Sequence, residues 1–357
     1  MNITFCLLQP GNHPIGGYKV IYEYANRISK KGHNVCIVYD CSRLFYKDKF
    51  DFIRILKIHI KYNRNKSWFK LDKRVKLRYA LHGINNESIT DSDFIIGSAI
   101  ETIEPIYDLS KKKGIKIYFV QDIENWRYPD EYVNKTYSWP FIKIAISNWI
   151  KDRVDRYSKT STTVINNGLD FSLLRIVTPI AERNPHSVSM LYHALEHKGS
   201  KYGLEALIML KKDIPDLTVE MFGAVEKPTD LPEWINYTKQ ATAKQVAEIY
   251  NKTSVFLCPT INEGFGLTGA ESMACGCALV STEYTGVKEY AVNKVNSLLC
   301  DTKNAAALYK NMKILMNDNE LRIRLSNQGH KDIQKLDWNI SVNKFIDVLI
   351  NSQGKDI

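Results

Sequence analysis

The sequence has no uncharged apolar stretch of about 18 residues, the length a helix needs to cross a bilayer. Residues 1–10 lack a basic n-region and hold only a short apolar run, so the reading is of a cytoplasmic chain with no spanning segment and no visible secretory leader. No CxxC pair occurs, and the seven cysteines are odd in number and without partners at metal spacing; they read as small apolar core residues of a reducing compartment. A G-x-G-x-x-G fingerprint is missing after the first strand, which argues against a nicotinamide cofactor. The segment 11–16 has the glycine spacing of a P-loop but continues Gly17-Tyr18 where a triphosphate site needs Lys-Ser/Thr. Internal repeats, low-complexity tracts and nucleic-acid-binding motifs are also missing, so no nucleic-acid partner is expected.

What remains has globular proportions, with 44% hydrophobic and 25% charged residues, and 357 residues exceed what one core usually serves. Two domains are expected. Lysine and arginine outnumber aspartate and glutamate by 49 to 39, a net +10. The segment 43–78 alone holds 13 basic and 3 acidic residues, interleaved with Phe45, Tyr46, Phe50, Phe52, Trp68 and Phe69. That mixture suits an anionic membrane surface, or else is a solvated face.

Apolar strand-like runs alternate with amphipathic stretches, the signature of βα units on parallel sheets. Residues 3–8, 35–39, 94–97, 115–120, 142–146 and 163–165 read as strands of a first α/β domain, with a helix over 18–31 stopped by Gly32. A second series has strands over 188–192, 217–222, 254–258 and 278–281, and helices through 204–210, 243–250 and 268–274. The proline-bearing segment 174–185 reads as a linker. The expected organisation is an N-terminal domain over 1–175, a C-terminal domain over 186–337, and a last helix within 338–357 that could pack on either domain, the N-terminal one included.

In such sheets ligands bind where strand ends meet helix N-termini. The richest loop is 259–271, between a strand and a helix. Its glycines admit a ligand close to the backbone, and the N–H groups at the helix start suit a diphosphate. Glu271, placed in the first helical turn, suits ribose hydroxyls, and Glu263 a sugar ring. His193-Ala194-Leu195-Glu196-His197 spells the H-x-x-E-H zinc pattern, but it leaves a strand and meets Gly199 with little room for a helix, so no metal site is expected.

Glu263 to Glu271, within NEGFGLTGAESMACG, resembles the Glu-x7-Glu signature of retaining glycosyltransferases of family 4. Lys198-Gly199, followed by Gly203-Leu204-Glu205-Ala206-Leu207, is similar to that family's lysine-glycine pair and helix. Gly16-Gly17 resembles its N-terminal glycine loop, and Asn166-Asn167-Gly168-Leu169-Asp170 the segment that closes its N-terminal domain. The resemblance covers nearly the whole chain. It implies a GT-B fold, α/β with two Rossmann-like domains facing each other across a cleft, and a glycosyltransferase that retains anomeric configuration without a metal or other cofactor. The donor would be a nucleotide diphosphate sugar held by Gly16, Gly17, His193, Lys198, Glu263, Gly264, Phe265, Gly266, Leu267, Thr268 and Glu271. Glu263, Lys198 and Asp122 are the implied catalytic residues, and Gln121, Asp122 and Trp126 the acceptor-side candidates. Where relatives have an arginine this chain has His193, and where many have a histidine it has Gln121-Asp122. The implied acceptor is a hydroxyl of a glycan or lipid-linked glycan, in cell-surface polysaccharide synthesis. A nucleotide-sugar epimerase, a phosphorylase or a non-catalytic partner subunit would fit the same plan, and the sequence leaves the oligomeric state open.

Overall fold

The computed structural model describes residues 1–12, 14–48, 50–62 and 68–354. Lys49, Arg64 and Lys66 of the basic segment and His13 of the glycine-spaced loop lie outside the described residues. The chain forms two units, Met1–Asn166 with Ser341–Ile357, and Asn167–Ile340.

The first unit is built on seven parallel strands: β1 (Asn2–Leu7), β2 (Asn34–Asp40), β3 (Lys76–Ala80), β4 (Phe94–Gly97), β5 (Ile115–Val120), β6 (Ile142–Ala145) and β7 (Thr163–Val164). Their order is β3-β2-β1-β4-β5-β6-β7. Central strands of such a sheet are covered on both faces, so β4, and β1 beyond Asn2, are buried without alternation, and Thr4 is the one polar residue among them. β3 carries Lys76 and Arg78 at a sheet edge, where charge blocks further pairing. That alternation of charge hides it from a search for apolar runs. The helices are α1 (Gly16–Lys30), α2 (Asp51–Lys61), α3 (Ile100–Tyr107), α4 (Asp130–Tyr137) and α5 (Asn148–Asp155). α1 begins two residues before the expected start, which puts Gly16 and Gly17 in its first turn and not in the preceding loop.

The second unit repeats the plan with β8 (Ser187–Tyr192), β9 (Thr218–Gly223), β10 (Ile235–Lys239), β11 (Val255–Cys258), β12 (Ala278–Thr282) and β13 (Ser297–Cys300), ordered β10-β9-β8-β11-β12-β13. Its helices are α6 (Ser200–Asp213), α7 (Ala243–Lys252), α8 (Leu267–Ala274), α9 (Ala305–Asn317) and α10 (Asn319–Ile333). Val188, Met190, Leu207, Val219, Leu257, Val280, Leu308 and Leu315 are among its core residues. α7 starts on a capping box between Thr242 and Gln245.

The segment read as a linker is a packed part of this unit. Arg183 is buried and donates to the carbonyls of Thr178, Tyr250, Thr253 and Cys275. Ile176 and Ile180 sit against Gly276, and Pro179 precedes a single 3₁₀ turn, Ile180–Glu182. The prolines stop regular structure there, but the arginine and isoleucines fix the path. The last helix, α11 (Trp338–Ile350), sets Phe345 against Phe5, Tyr24 and Phe119, and Ser341 donates to the Asn166 carbonyl. All seven cysteines are free thiols, and five are buried. No described helix is long and apolar enough to cross a membrane.

Each sheet has one place where the chain changes direction across the order: between β1 and β4, and between β8 and β11. Strand connections leave toward opposite sides there and open a crevice at the strand C-termini, where ligands of such sheets bind.

Candidate functional site

In the second unit the loops that leave β8 and β11 meet at this crevice. Ile261 and Asn262 donate their N–H groups to the His197 carbonyl at 2.8 and 3.2 Å. Gly199 has φ +67°, and a Cβ there would overlap the Pro259 carbonyl oxygen. The two loops therefore approach as closely as backbone allows, and a larger residue at 199 is excluded by both conformation and space. The closeness brings Lys198 Nζ to 2.8 Å from Glu263 Oε1, with both side chains roughly a quarter exposed or less. An ammonium has three N–H donors and this contact uses one, so the pair can still meet an anion.

Beyond Glu263 the loop turns into α8 through Gly266, whose φ is +87°. The turn is held from behind. Tyr290 Oη donates to the Gly266 carbonyl at 2.8 Å, and the Tyr284 hydroxyl, 3.0 Å away, donates to Tyr290. Gly286 lies so close that a Cβ would come within 2.5 Å of the Glu263 carbonyl oxygen. α8 opens with no side-chain cap among the described residues, so the positive end of its dipole and its first N–H groups, at Leu267 and Thr268, suit negative charge. Gly264 is buried beside Gly286.

Phe265 is buried, with its ring 5.6 Å from that of Tyr290, so its side chain packs the loop and only its backbone is left for a donor. One sequence expectation needs correction here. Glu271 lies in the second turn of α8, not the first, because the helix starts at Leu267; it is buried. Tyr284, Gly286 and Tyr290 were missed altogether. Their signal was topological: they follow β12, the strand next to β11, so their loop opens on the same end of the sheet.

His193 leaves β8 directly. Its N–H donates to Ser200 Oγ at 2.9 Å, and its Nδ1 accepts from the Leu195 N–H at 3.1 Å. Burial, then the charge of Lys198, lowers its pKa. The ring is therefore neutral near pH 7 and carries its proton on Nε2, a hydrogen-bond donor without the charge of an arginine. Residues 196–198 form one 3₁₀ turn, which does not stack His193 and His197 on a helical face. Among the described residues, no three His, Cys, Asp or Glu side chains gather as metal ligands.

The first unit shows a matching arrangement at its own crevice. Gln121, just past β5, donates through Nε2 to Ser98 Oγ at 2.5 Å and to the Gly17 carbonyl at 3.2 Å. It thereby ties the first turn of α1 to the end of β4. A Cβ at Gly17 would make ordinary van der Waals contact with the Gln121 amide at 3.6 Å, and at Gly16 nothing lies within 4 Å, so the approach leaves room for a small side chain at either position. Asp122 is half-buried, with Oδ1 accepting from the Ile123 N–H, and Trp126 is exposed. Glu124, which the sequence reading passed over, accepts the Ile100 N–H at 2.7 Å at the start of α3. Burial, with Glu101 and Asp122 near, pushes its carboxyl up to about 7 in spite of that bond. Its position two residues after Asp122 was the available clue.

The family model described as glycosyl transferases group 1 matches residues 181–332. A Campylobacter jejuni protein, N,N'-diacetylbacillosaminyl-diphospho-undecaprenol alpha-1,3-N-acetylgalactosaminyltransferase, is 29% identical over 163 residues, 44% of this chain and 43% of its own length. The chain spans about half the length of the curated relatives it matches. Among solved structures, sucrose-phosphate synthase from Thermosynechococcus elongatus superposes with a TM-score of 0.73 at 13% identity, covering 98% of each chain. Anabaena HepE in complex with UDP and glucose gives 0.73 at 13% identity, covering 98% of this chain and 100% of its own. The match to glycosyl transferases group 1 thus lies in the second unit, over residues 181–332, and the two parallel sheets are those of the GT-B fold.

Proposed function

We propose that the protein is a retaining, metal-independent glycosyltransferase of the cytoplasm. It moves a sugar from a nucleotide diphosphate donor to a hydroxyl of a glycan or lipid-linked glycan in cell-surface polysaccharide synthesis. The observation that carries this reading is the Lys198–Glu263 pair, 2.8 Å apart, beside the uncapped start of α8. Cleavage between the anomeric carbon and the diphosphate oxygen moves an electron pair onto the leaving group. Fixed donors that oppose the growing charge lower the barrier. Lys198 and the first N–H groups of α8 supply that opposition, and Glu263 accepts hydroxyls of the sugar and orients it. The acceptor hydroxyl attacks from the face the leaving group vacates and gives its proton to the departing diphosphate, so configuration is retained without an enzymic nucleophile. Glu271 accepts the ribose hydroxyls, and Asp122 lies on the acceptor side.

The family of residues 181–332, and a relative whose name specifies sugar transfer to a diphospho-undecaprenol carrier, support this reading. UDP-sugars are the first donors to try, since the HepE structure holds UDP and glucose. Thermal unfolding with UDP, GDP, dTDP and their sugars forms the screen, because a ligand bound only by the folded state raises the midpoint. One nucleoside diphosphate and its sugar are expected to do so. If none does at millimolar concentration, the reading fails.

A further inference from the structure

We infer that α2 (Asp51–Lys61) is an interfacial helix, which docks the first unit on anionic bilayers by inserting an apolar stripe into the lipid. An ordinary surface helix turns its apolar side inward and its charges outward. α2 departs from this by burying an arginine and exposing an apolar stripe on its outer side. Its buried residues are Arg54 and Ile58, one turn apart. The Arg54 guanidinium points inward and donates to the carbonyls of Cys41, Leu44 and Leu81. On the opposite side, at the same four-residue spacing, Phe52, Leu56 and Ile60 are 68, 58 and 61% exposed. Phe50, just before the helix, and Ile55 extend the patch, with the Phe50 and Phe52 rings 5.8 Å apart.

Single exposed apolar residues are common on soluble proteins, but a cluster needs an explanation. Of the 18 large apolar side chains exposed among the described residues, six fall between Tyr46 and Ile60. The occupant is argued from charge. Lys57 and Lys61 flank the stripe on one side of the helix, with both ammonium groups over the Phe45 ring at 5.6 and 5.7 Å. The surrounding segment 43–78 supplies the chain's whole net charge of +10. A second copy of so cationic a face would be repelled, whereas anionic head groups are attracted and acyl chains receive the stripe.

Co-sedimentation of the full chain with phosphatidylcholine vesicles, with and without phosphatidylglycerol, tests this without donor or acceptor, so its failure would leave the glycosyltransferase reading standing. Binding is expected only to the anionic vesicles, and about 0.5 M salt should weaken it without abolishing it, because the apolar contribution is not screened. The combined Phe52→Ser, Leu56→Ser and Ile60→Ser variant should keep its circular dichroism and melting temperature and lose about tenfold or more in vesicle affinity. Should that variant misfold, Leu56→Lys alone serves, since it adds charge attraction yet should still weaken binding. Failure of the wild type to bind anionic vesicles would overturn the inference. So would variants that bind as well as the wild type. A wild-type dimer that these substitutions dissociate, without change in vesicle binding, would assign the patch to a second copy and equally overturn it.

Discussion

Replacing Gly266 by alanine probes the turn on which the donor-side loop depends. The backbone there has φ +87°, which costs a residue with a Cβ about 1–2 kcal/mol. Space adds to conformation. The new methyl would overlap the Tyr284 hydroxyl and stand 2.8 Å from its Cζ and 2.9 Å from Tyr290 Oη. Both tyrosines are buried and bonded to each other, so neither ring can swing into solvent, and overpacking of this kind costs roughly 1–3 kcal/mol. The sum is about 2–5 kcal/mol, equivalent to a fall of roughly 4–20 °C in the melting temperature of a unit this size. Calorimetric melting of the wild type, G266A, Y284F and the double variant measures it. The double variant should be less damaged than the two single effects predict, by about 1 kcal/mol, because the overlapping hydroxyl is gone while Cζ remains close. A G266A protein within about 1 kcal/mol of wild type, or strict additivity with Y284F, would refute the account of how this loop is held.

Three further substitutions test other parts of the molecule. Lys198→Ala should weaken the nucleoside diphosphate found by thermal screening by about 1.5–3 kcal/mol, at least tenfold by titration calorimetry, and an unchanged affinity would remove the lysine from the donor site. Arg183→Met should destabilise the second unit by more than about 3 kcal/mol in urea unfolding, since it strands three buried carbonyls and the part-buried one of Thr178; a cost below about 1 kcal/mol would show that the segment is a linker after all. Glu124 has its folded pKa raised to about 7 from an ordinary 4.5, so its protonated form favours the fold, and that contribution is lost as pH rises through 7. Glu124→Gln retains an acceptor for the Ile100 N–H and does not ionise. The melting temperature of wild type relative to this variant should therefore fall between pH 5 and pH 8, and a constant difference would contradict the raised pKa.

The α/β architecture was legible because strands of parallel sheets are buried on both faces and read as plain apolar runs. Residues 94–97 and 115–120 were placed without error, and β8 and β11 within one residue at either end. Edge strands were legible only in part: β7, at one edge of the first sheet, was read over 163–165, but β3 and β10 were not. β3 and β10 mix Lys76, Arg78, Asn236 and Lys239 into their pattern, and their identity as strands comes from pairing with β2 and β9. The same division holds at the candidate site. Glycines, Lys198 and the two glutamates announce themselves through local chemistry, since diphosphate recognition needs backbone donors and fixed charge within a few residues. Residues that act by position do not. Gln121 was singled out only through the family resemblance, which did not foresee its bonds to Gly17 and Ser98, and Tyr290 differs from other tyrosines only in lying behind Gly266. Composition placed cationic and aromatic residues together in 43–78, but not their directions. The inward arginine and outward leucine of α2 follow from Cys41, Leu44 and Leu81 offering carbonyls to Arg54, a tertiary demand that outweighs the usual preference of the helix for an apolar buried side. Sequence alone set Phe52 within a basic and aromatic surface segment and gave no direction to Leu56 or Ile60. Their exposure is the result of that demand, and it turns a basic segment of ordinary composition into a surface with a testable occupant.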